Sequence, residues 1–78
     1  MATLIYLYKN KSSKIETQLS KLPKNFYVMK EEITSQKANS MHISSVPAIV
    51  VLDKEGNVRV KREGSTLVLD YVNSFTED

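Results

Sequence analysis

The chain has 78 residues, 41% of them hydrophobic and 26% charged, with a net charge of +2, a single histidine (His42) and no cysteine. This length makes one domain over 1–78, burying roughly 60–65% of its unfolded surface, and the apolar content suits a packed core rather than a disordered chain. Lack of cysteine removes thiolate chemistry and cysteine-ligated zinc, and the lone histidine argues against a Ser-His-Asp triad, so most enzyme classes fall away.

Residues 3–8, "TLIYLY", are β-branched, aromatic and aliphatic without a breaker, the pattern of a strand buried on both faces. From Ser13 the period changes, and Ile15, Leu19 and Leu22 recur at i, i+4 and i+7 as the apolar stripe of a surface helix. Ser12 or Ser13 is its natural N-cap and Pro23 its stop. "FYVM" (26–29) reads as a second strand. Thr34 or Ser35 caps a short helix to about Met41, with Ala38 and Met41 inward, and "AIVVL" (48–52) is the most strand-like run in the chain.

"DKEGN" (53–57) is a hairpin turn with Gly56 available for positive φ. "VRVKRE" (58–63) alternates, predicting Val58 and Val60 inward and Arg59 and Lys61 outward. Gly64 breaks that strand, and Ser65 or Thr66 caps a last helix whose apolar set is Leu67, Leu69, Val72 and Phe75. The order is β-α-β-α-β-β-α. Its first βαβ unit is expected to be parallel and right-handed and its closing hairpin antiparallel, giving a four-stranded mixed sheet flanked by three helices.

Charge is uneven. Residues 9–24 carry Lys9, Lys11, Lys14, Lys21 and Lys24 against Glu16 alone, a local +4 that leaves −2 on the rest. Such a turn favours acidic partners. Arg59, Lys61 and Arg62 form a second basic cluster, but no aromatic residues interleave with either one, which argues against a nucleic-acid platform. No apolar run approaches the ~18 residues of a membrane helix, and the N-terminus lacks a signal-peptide pattern, so the expected setting is cytoplasmic and away from membranes.

The element order, with Val46-Pro47 just before the third strand, resembles the thioredoxin fold in its minimal, glutaredoxin-sized form. The most specific stretch is "SSVPAIVVLDKEGNVRV" (44–60), similar to that family's cis-proline loop, strand, glycine turn and strand, and Gly64 matches the glycine after the fourth strand. "NSMHISSVP" (39–47) is similar to the end of the family's second helix, with Ile43 the apolar residue before the loop. The Ile15, Leu19, Leu22 stripe aligns Ile15 with the second cysteine of the family's C-x-x-C and Ser12 with the first, so the motif reads Ser12-Ser13-Lys14-Ile15. Lys9 matches a lysine that many glutaredoxins place against the glutathione carboxylate. The Gly-Gly-x-x-Asp segment that holds the other end of glutathione is not reproduced in "EGSTLVLD" (63–70), which counts against glutathione and leaves no cofactor implied.

Thiol–disulfide exchange needs a thiolate that attacks and a sulfur that leaves. A serine hydroxyl does neither, and Ile15 is an apolar packing residue, so no catalytic residue is assigned. The resemblance therefore implies a redox-inactive module that binds a protein or peptide in the groove between the 9–15 turn and the Val46-Pro47 loop. The binding set would be Lys9, Lys11, Ser12, Lys14, Val46 and Pro47, with the backbone of Val46 pairing to an extended partner segment. Decoy, adaptor or regulator are the roles this suits. The small Lys/Asn/Ser-rich domain is in keeping with phage proteins of this fold, whose partner would belong to the host. The alternative is a glutaredoxin-type oxidoreductase relative in which Ser12 stands in for a natural cysteine.

Overall fold

Strands without polar interruptions take the middle of the sheet. In the computed structural model, which describes residues 1–76, the elements are β1 (Ala2–Tyr8), α1 (Ser13–Leu19), β2 (Phe26–Glu32), α2 (Ser35–Met41), β3 (Ala48–Leu52), β4 (Val58–Glu63) and α3 (Ser65–Thr76). Strand order is β2-β1-β3-β4, with β1 parallel to β2 and antiparallel to β3, and β3 antiparallel to β4. This is the minimal thioredoxin arrangement expected from the sequence, a four-stranded mixed sheet with three helices.

The two central strands bury both faces. On one side Leu4, Tyr6, Ile49 and Val51 pack with Ile15 and Leu19 of α1 and Val68 and Val72 of α3. On the other, Leu7, Ala48 and Val50 pack with Ile43, flanked by Ala38 and Met41 of α2. Cross-linking α1 to α3, the Gln18 amide donates to Asn73 Oδ1 at 2.5 Å.

Local chemistry sets the element ends. The Ser12 hydroxyl caps α1 by accepting from the Ile15 amide at 3.3 Å, and the Thr34 hydroxyl caps α2 by accepting from the Lys37 amide at 3.1 Å. α1 stops at Leu19, short of Pro23, because the residue before a proline is pushed out of the helical region. Lys21 and Leu22 instead donate to the carbonyls of Gln18 and Leu19 in a tightening turn. β2 runs on to Glu32, beyond the predicted FYVM, since β1 supplies partners up to Tyr8. Two of its three charges are paired in place, Lys30 with Glu16 at 3.2 Å and Glu31 with Lys37.

Two expectations about side-chain direction are corrected. A register shift between Val51 and Leu52 places Val51 opposite Val60 but Leu52 opposite Val58. Arg59 is thus an extra residue in a β-bulge, and Val58 lies on the opposite face from Val60, 61% exposed rather than inward. In α3 the buried pair is Val68 and Val72, while Leu67 is 52% exposed. The helix begins directly after Gly64, whose carbonyl accepts from the Val68 amide at 3.0 Å and whose φ is +96°. Leu69 and Val72 of the predicted set do pack on the core, with Val68 in place of Leu67. Phe75 is 42% exposed but still packs edge-on against Phe26 and Tyr71, both at 5.1 Å between ring centres. Among the described residues no helix is long and apolar enough to cross a membrane.

The phase of α3 is directly measurable. Val68→Ala is expected to lower unfolding free energy by about 2 kcal/mol through lost burial and a residual cavity, and Leu67→Ala by less than about 0.5 kcal/mol. Urea denaturation of the two variants checks the assignment, and the reverse order would restore the predicted stripe.

Candidate functional site

The turn after β1 and the loop before β3 lie at the same end of the sheet. In the turn, Ser12 caps α1, and its amide donates to the Tyr6 hydroxyl at 3.2 Å. Ile15 is buried between the sheet and α3. Ser13 and Lys14 are exposed. This turn has no thiol, and the Ser12 hydroxyl is committed to a helix cap.

The 42–47 loop is held from outside by β4. His42 closes α2 in the left-handed region, at φ 57°, and the Ile43 amide donates to the Ala38 carbonyl at 2.8 Å. The Lys61 ammonium donates to the His42 carbonyl at 2.9 Å. One carboxylate oxygen of Glu63 accepts from the amides of Ser44 at 2.8 Å and Ser45 at 2.9 Å. The Gly64 amide then donates to the Pro47 carbonyl at 2.8 Å, and the Val46–Pro47 peptide is cis. Between these anchors, among the described residues, neither the amide nor the carbonyl of Val46 has a hydrogen-bond partner. The Ser44 amide, then the Ser45 amide, and more weakly the nearby Lys61 ammonium hold the Glu63 carboxyl below its usual range.

A cleft of about 200 Å³ opens beside this loop, with Lys9, Thr34, Ser44, Ser45 and Val46 on its walls. The structure thus brings Lys9 and Val46 together, as the sequence places them. It does not gather the rest of the predicted set there. Lys11 leans over the Tyr8 ring at 5.8 Å and, with Ser13, borders a separate depression alongside Glu16 and Lys30. Ser12, Lys14 and Pro47 border neither hollow. The second basic cluster is also divided, with Lys61 on the loop and Arg62 over the Tyr71 ring at 5.7 Å.

Sequence reading overlooked Glu63 and Lys61 as loop anchors. A signal existed, because the same alternation that predicted Lys61 outward places Glu63 beside it on one face of β4. Among the described residues, no group of three His, Cys, Asp or Glu side chains could hold a metal ion.

No family model and no curated protein matches the chain in sequence. Solved structures do match in shape. A malarial protein superposes with a TM-score of 0.68 at 15% identity, over 100% of this chain and 99% of that one. The oxidised thioredoxin from Plasmodium falciparum gives 0.69 at 14%, over 96% and 81% of the two chains. The chain has the thioredoxin fold. A disulphide isomerase from Xylella fastidiosa Temecula1 extends the likeness, with a TM-score of 0.53 at 18% identity over 97% and 79% of the two chains. Such identities speak for the fold alone. On this thioredoxin scaffold, Ser12 and Ile15 stand at the start of α1 and the sequence holds no sulfur for disulfide chemistry.

Loop anchoring by Glu63 has a pH signature. Because its carboxyl is held below the unfolded value, the anchor is fully present above the ordinary carboxylate pKa and is lost as pH falls through the lower, folded value. Amide exchange at Ser44 and Ser45, followed by NMR, is expected to stay protected at neutral pH and to speed up on acidification through that range. Glu63→Ala is expected to remove the protection at every pH. Equal protection in the variant would show that the carboxylate does not hold the loop.

Proposed function

We propose that this thioredoxin-fold chain is a redox-inactive binding module whose cleft takes an extended segment of a protein partner. The observation that carries the reading is the unpaired backbone of Val46, set in a loop that β4 fixes on both sides. An unpaired amide and carbonyl in a preorganised loop are what a partner strand needs for main-chain hydrogen bonds. Lys9 on the cleft wall favours an acidic residue in that segment. Fixing the loop in advance lowers the ordering cost of association. A partner that normally meets a true redoxin would dock here without reaction, which suits a decoy, adaptor or regulator inside the cytoplasm of a cell or a phage host.

The enzymatic alternative gains no support from the site. Ser12 already acts as a helix cap, and Ile15 fills the position where a resolving cysteine would sit, packed with Leu19 and Val68.

The test is capture from the source cytosol by the intact domain and by a Lys9→Glu, Val46→Glu double variant, both shown to be folded by circular dichroism. A partner retained by the first and lost by the second is expected. Its complex should shift the amide signals of Ile33, Thr34 and 44–46. Retention of the same proteins by both, or shifts confined to other surfaces, would reject the cleft as the docking site.

A further inference from the structure

The α2 side of the sheet is covered at one end only. Helix α2 and Ile43 lie over Leu7, Ala48 and Val50. Back along β1, about 13 Å from Leu7 at ~3.3 Å per residue, Thr3 stands in a row that crosses all four strands: Tyr27, Thr3, Leu52 and Val58. These side chains share one face, because their neighbours Phe26, Leu4, Val51 and Val60 pack on the other side with α1 and α3. Tyr27 is 57% exposed and Val58 is open too, while Thr3 and Leu52 are half-buried. The next row, Met29, Ile5, Val50 and Lys61, joins this floor to α2, and Met29 is 38% exposed. Lys61 is the one charge in the two rows.

What can cover such a floor follows from its backbone. The amides and carbonyls of β1 and β3 are spent within the ladder, so an extended segment laid on this face would leave its own backbone unpaired. A helix satisfies its backbone internally and is about 10 Å wide, which fits between Thr3 and the covered Leu7. Four strands at ~4.8 Å spacing make the row about 14 Å long, the rise of about ten helical residues. A second copy of the chain fits poorly. Its sheet would have to lie flat over a face on which α2 already stands, and two rows fall far short of the ~800 Å² per partner that a stable interface buries.

We propose that this floor docks an amphipathic helix of a partner protein, laid beside α2, with an apolar stripe at i, i+3, i+4 and i+7 and acidic residues flanking it. The acidic flank follows from β4, where Arg59 and Lys61 come just after Val58. The lone acid of that strand, Glu63, is held by the Ser44 and Ser45 amides. None of the cleft residues Lys9, Ser44, Ser45 or Val46 belongs to the floor, so this surface stands or falls apart from the cleft.

NMR titration of the isotope-labelled full chain with two synthetic helices of about 12 residues tests the proposal. Both carry leucines at i, i+3, i+4 and i+7, flanked in one by glutamates and in the other by lysines. The glutamate peptide is expected to bind one to one and to shift the amide signals of Thr3, Tyr27, Leu52 and Val58. It should bind roughly tenfold more tightly than the lysine peptide. Tyr27 and Val58 are exposed, so replacing either leaves the core intact. Tyr27→Asp and Val58→Asp should each weaken binding roughly tenfold, with the fold unchanged by circular dichroism. Four results would each overturn the proposal: no shifts at millimolar peptide, shifts gathered at Lys9 and 44–46, equal binding of the two peptides, or variants that bind as well as the parent.

Discussion

β1 has neither a free edge nor a wet face. Its backbone pairs with β2 on one side and β3 on the other, Leu4 and Tyr6 lie under α1 and α3, and Leu7 lies on the α2 side. A strand placed so must leave the sheet through a turn at its carboxyl end and return by a right-handed crossover to pair in parallel with β2. That constraint fixes where polar chemistry can gather. Lys9 and the cap of α1 emerge at the end of β1, and β3, running the opposite way, begins at that end with the Val46-Pro47 loop. Open α/β sheets place their ligands beyond the carboxyl ends of their parallel strands, and here Lys9 and the Val46-Pro47 loop meet at that end.

How much of this was legible follows from where the determining interactions lie in the chain. Residues 3–8 and 48–52 read as doubly buried strands because burial on both faces leaves an unbroken apolar run. Caps at Ser12 and Thr34 were legible because capping is local, acting over three residues. What was missed depends on register between distant segments. Val58 alternates with Val60 in sequence, yet the bulge opposite Leu52 turns it to the other face. β2 outruns its apolar residues because a polar strand end is stabilised by a buried neighbour's ladder rather than by its own composition. In α3, Leu69 and Val72 pack on the core as the stripe predicted, but Val68 rather than the exposed Leu67 completes it. At the cleft, Lys9 and Val46 lie side by side because one follows β1 and the other precedes β3. The anchors Lys61 and Glu63 act across separations of eighteen or nineteen residues, which no short motif records.

Ile15, in the first turn of α1, is buried and serves the core. Its burial contributes on the order of 2–3 kcal/mol by transfer to an apolar interior, a useful share of a domain this small. It packs with Leu19, Tyr6 and Val68, joining α1 to the sheet and to α3. The start of α1 is thereby tied to the core.

Among the described residues, backbone groups without a partner lie at the Val46 step and along the outer edges of β2 and β4, and the side chains of β4 separate the two edges in use. Polar side chains of β4 are committed to the 42–47 loop, Lys61 to the His42 carbonyl and Glu63 to two amides. One edge of the sheet thus supports the cleft, while the opposite edge, at β2, carries none of the side chains that hold the 42–47 loop.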